Sequence, residues 1–82
     1  MLSKPVTIDG REWICRPLTY DEVLLCADAE KADERQGRLE PLRRVFPELA
    51  TRAGALAAYT VRRLLAEIWA LTNGDEESEK NS

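Results

Sequence analysis

The sequence contains no histidine, and it therefore lacks the side chain that performs most acid–base and metal chemistry near neutral pH. It has two cysteines, Cys15 and Cys26, in 82 residues. Their neighbours are typical of core positions and no signal peptide is evident, so we expect free thiols in a reducing compartment. Glycine-rich phosphate loops, zinc-ligand spacings and nucleophile motifs are also missing. We therefore expect no catalytic residue, no metal and no cofactor.

The chain also lacks a strong charge of either sign. Its 12 basic and 15 acidic residues give a formal net charge of −3. The last eight residues, DEESEKNS, hold four of the acids and one lysine, so residues 1–74 carry as many basic as acidic groups. A balanced body has no field that steers it to nucleic acid or to anionic lipid. We expect neither as a partner, and the balance permits self-association.

One long apolar segment, residues 53–73, is the best candidate to anchor a core. On a helix, one face collects the residues Leu56 or Ala57, Val61, Leu64, Leu65, Ile68 and Leu71. A second apolar set adds Ala55, Tyr59, Ala66, Trp69 and Ala70. This sector is wider than the roughly 100° stripe that a surface helix needs. Because so short a chain buries little surface, we expect another molecule to cover part of this apolar sector. Arg62, Arg63 and Glu67 exclude a membrane span.

Two β-prone runs flank Asp9-Gly10 near the N-terminus. Before this pair, Val6 and Ile8 alternate with Thr7, and after it Trp13 and Cys15 alternate with Glu12, Ile14 and Arg16. Asp-Gly between such runs predicts a tight hairpin, since both turn residues must reach positive φ.

A helix start follows the hairpin. Thr19 and Glu22 have the spacing of a capping box, and Leu18 and Val23 that of a hydrophobic staple. We expect this helix to run from Tyr20 to about Glu34, with its apolar face at Val23, Leu24, Cys26 and Ala27.

A short helix should open at Pro41 and be interrupted by Pro47. The long helix should then begin between Glu48 and Ala53 and end at Asn73-Gly74. The junction between the two is either a corner in a compact bundle or a hinge. The sequence therefore predicts a mainly α single domain over residues 1–74, with an N-terminal β-hairpin followed by three helices, the last one long. Residues 75–82 should form a disordered acidic tail.

Aromatic and apolar residues on and near the long helix are the best candidates for binding a protein partner. Tyr59 and Trp69 lie off its main stripe, and either a core or an interface role fits them. For Phe46 a core position fits better, although it remains a candidate. The partner-binding prediction covers Leu56, Tyr59, Arg62, Leu65, Trp69 and Phe46.

The order of these parts resembles the small tail assembly chaperones of long-tailed bacteriophages. The similarity lies in the segment VTIDGREWICRPLT, where Trp13 takes the place of a usual aromatic, in the helix after it and in the closing apolar helix LLAEIWALTNG. Residues 16–19 carry it best. The resemblance implies a non-enzymatic protein of the host cytoplasm that forms homo-oligomers and binds the tape measure protein before the tail tube polymerises.

Two other classes stay open. A structural virion component, such as a head–tail connector or baseplate subunit, could use the same apolar surface permanently. A small regulatory binding protein is the third possibility.

Overall fold

The computed structural model describes residues 2–74. A β-hairpin of β1 (Lys4–Ile8) and β2 (Arg11–Cys15) comes first. Four helices follow: α1 (Tyr20–Ala32), α2 (Glu34–Gly37), α3 (Glu40–Val45) and α4 (Ala58–Asn73), with 3₁₀ turns at Pro47–Leu49 and Ala53–Ala55 before α4. The predicted acidic tail, residues 75–82, lies outside the described residues.

The hairpin forms where the sequence predicts it. Asp9 and Gly10 form its two-residue turn with φ of 52° and 80°, the positive angles that let a turn follow the twist of the strands. The register pairs Val6 with Trp13 and Lys4 with Cys15. Because side chains alternate along a strand, Val6, Trp13 and Cys15 all face the core and are buried.

Helix α1 begins as predicted and ends earlier. Thr19 Oγ1 accepts a hydrogen bond from the Glu22 backbone N–H at 3.2 Å, and Glu22 Oε1 accepts one from the Thr19 N–H at 3.0 Å, which completes the capping box. The helix was expected to reach Glu34 and instead stops at Ala32. Asp33 has an extended backbone and uses its carboxylate to cap the next helix, accepting from Gln36 N at 3.2 Å.

This break makes the predicted helix count wrong. The structure has four helices after the hairpin rather than three, because Asp33 separates α2 from α1. An aspartate side chain competes with the helical backbone for hydrogen bonds and favours N-cap positions. The turn lets α2 fold back on α1, and Gly37 packs directly against the backbone of Ala29 and Glu30.

The start of α4 also differs from the expectation. The predicted start lay between Glu48 and Ala53, and the helix begins at Ala58. Two 3₁₀ turns occupy the intervening chain, and Leu56 is extended with ψ of 156°. Leu49 and Ala53 are both buried in this segment, so core packing overrides the helix propensity of an alanine-rich run. At the other end, Gly74 adopts the left-handed conformation expected of a helix terminus.

One core joins the hairpin to α1, α3 and α4. Its buried apolar members are Val6, Trp13, Cys15, Leu18, Cys26, Leu42, Phe46, Leu49, Ala53, Leu64, Ile68 and Leu71. The rings of Trp13 and Phe46 meet edge to face with centroids 5.1 Å apart, an arrangement that aromatic pairs favour.

Polar contacts tie the elements together at the edge of this core. Arg16 donates two hydrogen bonds to the Glu22 carboxylate, at 2.9 and 3.1 Å, and one to the Arg44 carbonyl at 3.0 Å. Glu67 on α4 accepts from Lys4 at 3.0 Å and from Arg63 at 3.1 Å. Within residues 2–74, no helix is both long and apolar enough to cross a bilayer.

Candidate protein-binding site

A groove lies between α2 and the first half of α4. Its volume is about 850 Å³. Four aliphatic side chains, Leu39, Leu56, Val61 and Leu65, line it and are partly buried against the core. They form an apolar floor, and we refer to this feature as the α2–α4 groove.

Exposed charged residues surround the floor: Asp33, Glu34, Arg35, Arg38 and Arg62. Arg38 is neutralised, since its Nη2 lies 2.6 Å from Glu34 Oε1 and its Nε 4.0 Å from Glu30 Oε1. Arg35 and Arg62 have no carboxylate partner among residues 2–74. The groove therefore combines an aliphatic floor with two guanidinium groups that lack a carboxylate partner. These features favour the binding of an apolar segment that is flanked by acidic residues.

Three of the predicted partner-binding residues lie at this groove. Leu56 and Leu65 contribute to the floor, and Arg62 lies on the rim. The prediction did not include Leu39 and Val61, which also line the groove, or the wall formed by α2. Leu39 follows a charged stretch that looked like a solvated surface, and only the fold of α2 back onto α1 brings it opposite α4.

Tyr59 lies near the hairpin turn. Its side chain is 55% exposed, and its hydroxyl donates a hydrogen bond to the Asp9 carboxylate. This bond raises the pKa of Tyr59 above its usual value of 10.0, so the hydroxyl stays protonated and available as a donor at neutral pH. Tyr59 thus connects α4 to the hairpin and is not among the groove residues.

Trp69 and Phe46 lie at two further places. Trp69 is partly buried and lines, with Leu65, a second cavity of about 330 Å³ between α4 and α1. Phe46 is 6% exposed and packs on Trp13. The structure thus buries Phe46 in the core against Trp13, whereas Trp69 is only partly buried.

Helix α1 exposes more apolar surface than its sequence suggested. Tyr20, Leu24 and Leu25 are 77%, 46% and 45% exposed. The predicted core face was Val23, Leu24, Cys26 and Ala27. Of these, Cys26 is buried and Val23 is partly buried, whereas Leu24 and Ala27 are exposed. The sequence did hold a signal: the four consecutive apolar residues from Val23 to Cys26 turn through about 300° of a helix, more than one core contact can cover.

The two thiols are buried and free. Burial is the main cause that raises the pKa of Cys15 to about 11, and burial likewise raises the pKa of Cys26. Both are therefore neutral and weakly nucleophilic near pH 7. Among the described residues, no group of three histidine, cysteine, aspartate or glutamate side chains could hold a metal ion.

The chain matches no known protein family, no curated protein and no solved structure. What the α2–α4 groove can bind follows from its own shape and chemistry.

Proposed function

We propose that this protein is a non-enzymatic assembly chaperone of the kind that serves phage tails, and that it binds apolar segments of the tape measure protein in the host cytoplasm. The observation that supports this most is the α2–α4 groove, in which an apolar floor meets solvent in a chain of 82 residues. The resemblance of residues 5–74 to tail assembly chaperones is the reason for proposing the tape measure protein as the client.

The dimensions of the groove suit a short amphipathic helix. Its α4 wall extends from Ala58 to Leu65, about 10 Å of helix axis at 1.5 Å per residue, which is close to two helical turns. Helices that dock in apolar grooves commonly insert side chains at three- and four-residue spacing. A client segment with two or three aliphatic anchors and acidic flanking residues matches both the floor and the unpaired Arg35 and Arg62.

A chaperone of this type has to cover its own apolar surface until a client arrives. Leaving aliphatic side chains in water disfavours the free state by about 25 cal/mol per Å². Self-association covers that surface, and the nearly neutral charge of residues 1–74 opposes it little. When a client segment binds in the groove, it displaces the second copy of the chain from it.

Co-expression with the tape measure protein tests the proposal. We expect a tape measure gene directly downstream of this one, and its product should stay soluble only when the chaperone is present. Leu56→Asp places a charge on the groove floor and should abolish this effect. Ile14→Asp, at a 51% exposed position on the hairpin, is the matched control and should retain it.

Two outcomes would count against this function. The first is a Leu56→Asp variant that keeps its helical circular dichroism and protects the client as well as the wild type does. The second is recovery of the protein in stoichiometric amounts from purified virions, which would identify a structural component instead.

A further inference from the structure

We infer that the outer face of α1 in one copy of the chain occupies the α2–α4 groove of a second copy. The inference rests on the self-association in the proposed function and specifies the contact that produces it. The outer face of α1 is defined by Tyr20, Asp21, Leu24, Leu25 and Asp28, all of which are exposed.

The outer face of α1 has the shape and charge of a groove ligand. Leu24 lies three residues after Asp21 and four before Asp28. Leu25 lies four residues after Asp21 and three before Asp28. Residues three and four apart are neighbours on a helix, so the two leucines form a pair that both aspartates bracket. Neither aspartate has a cationic partner among residues 2–74.

The groove has the complementary arrangement. Its aliphatic floor lies between Arg35 on one wall and Arg62 on the other, and neither arginine has a carboxylate partner among residues 2–74. Docking buries the leucine pair on the floor and brings two unpaired acids near two unpaired bases. Complementary charge of this kind selects the partner and the register of a helix in a groove.

The groove cannot take the α1 of its own chain. Cys26 on the opposite side of α1 is 4% exposed, and Glu22 is bonded to Arg16 at 2.9 Å. Gly37 of α2 lies directly against Glu30. These contacts hold α1 with its outer face turned away from the core, so the occupant has to come from another molecule.

Other exposed apolar residues fit the groove less well. Ile14 is 51% exposed on the hairpin, and its neighbours on the outer side of the sheet are Pro5, Thr7 and Glu12. This surface offers a single aliphatic side chain and a single acid. Among the surfaces formed by residues 2–74, only the outer face of α1 presents two leucines between two aspartates.

Two variants remove the two halves of the contact separately. Leu24→Asp/Leu25→Asp changes the outer face of α1. Gly54→Phe fills the groove, because a Cβ at this groove-lining position meets only Leu39 Cδ1, at 3.7 Å. By sedimentation equilibrium, each variant alone should associate at least tenfold more weakly than the wild type. The Ile14→Asp control should associate as the wild type does, and circular dichroism checks that each variant is folded.

Mixing the two variants gives the decisive result. The α1 variant keeps an intact groove, and the Gly54→Phe variant keeps an intact α1 face. An equimolar mixture should therefore form a 1:1 heterodimer that grows no further. A mixture that remains monomeric overturns the inference, because an intact α1 face and an intact groove are then both present and do not bind each other.

The outcomes also separate this inference from the proposed function. Wild-type association that survives both variants overturns the α1 contact and leaves self-association to another surface. A wild type that is monomeric at millimolar concentration overturns both. The α1 variant should still protect the tape measure protein, since its groove is intact, and failure of this folded variant to do so shows that α1 binds the client instead.

Discussion

Glu22 connects the start of α1 to the end of the hairpin. Its carboxylate accepts two hydrogen bonds from Arg16 and one from the Thr19 N–H. Arg16 in turn donates to the carbonyl of Arg44 at the end of α3. The end of the hairpin, the start of α1 and the end of α3 therefore meet at one partly buried ion pair, where charge-assisted, bidentate bonds are stronger than those on an open surface.

The pH dependence of stability should report this ion pair. The hydrogen bonds from Arg16, chiefly, lower the pKa of Glu22 from 4.5 to about 2. A lowered carboxyl pKa stabilises the fold above the unfolded value, and this contribution is lost as pH falls from 4.5 towards 2. Glu22→Gln should therefore lose on the order of 2 kcal/mol of unfolding free energy at pH 7. Urea denaturation should show that the difference from wild type shrinks below pH 4.5.

The exposed pair Arg11–Glu48 provides the control for this measurement. Its two side chains are each 50% exposed, with Nη2 and Oε2 3.4 Å apart. Because water screens such a pair, Glu48→Gln should change the unfolding free energy by less than about 0.5 kcal/mol at any pH. An equal effect of the two substitutions would contradict the role assigned to Glu22.

At the scale of elements, the turn from α1 into α2 forms one wall of the α2–α4 groove. Asp33 ends one helix and caps the next, and Gly37 allows the short helix to return against the first. This return places Leu39 opposite α4. The groove thus depends on a four-residue helix that is too short to be stable by its own hydrogen bonds and is held by its packing on α1.

Gly37→Ala should disrupt this packing. A Cβ at this position would lie 2.3 Å from the Cα of Glu30, and a backbone atom cannot move aside as a flexible side chain can. We expect a loss of about 1–3 kcal/mol of unfolding free energy, the usual range for overpacking. Gly54→Ala is the matched control, since its Cβ meets only Leu39 Cδ1 at 3.7 Å and should change stability by no more than about 0.5 kcal/mol. Urea denaturation in which the two variants are equally stable would contradict the close approach.

For the whole molecule, the small size of the domain limits how much apolar surface it can bury. A domain this small buries only about 60% of the surface that its unfolded chain exposes, and apolar side chains remain in contact with water on α1 and in the groove. Covering these surfaces by a second copy links folding to association. Any species that binds the folded state alone stabilises it by mass action.

Thermal unfolding should therefore depend on protein concentration. Once association is saturated, each tenfold increase in concentration should stabilise the wild type by about 1 kcal/mol, which raises the midpoint by about 4–8 °C in a domain of this size. Leu24→Asp/Leu25→Asp should show this dependence only at concentrations at least tenfold higher, because it associates at least tenfold more weakly. Scanning calorimetry from 10 μM to 1 mM measures both, and a wild-type midpoint that stays constant would exclude association in this range.

The sequence by itself determined the local features of this protein. The Asp9-Gly10 turn, the capping box of Thr19 and Glu22 and the left-handed Gly74 were all predicted and are all confirmed. Each depends on hydrogen bonds or backbone angles within about four residues, so the neighbouring residues in the sequence suffice to specify it.

The tertiary structure alone decided where the helices break and which surfaces remain open. Asp33 caps α2 locally, but the packing of Gly37 on α1 holds this short helix in place, and the burial of Leu49 and Ala53 in the core accompanies the late start of α4 at Ala58. Periodicity showed that residues 53–73 are widely apolar, but it could not show which side the core would cover. That choice depends on contacts between residues far apart in sequence, and these buried Phe46 while leaving Leu24 and the groove floor in contact with solvent.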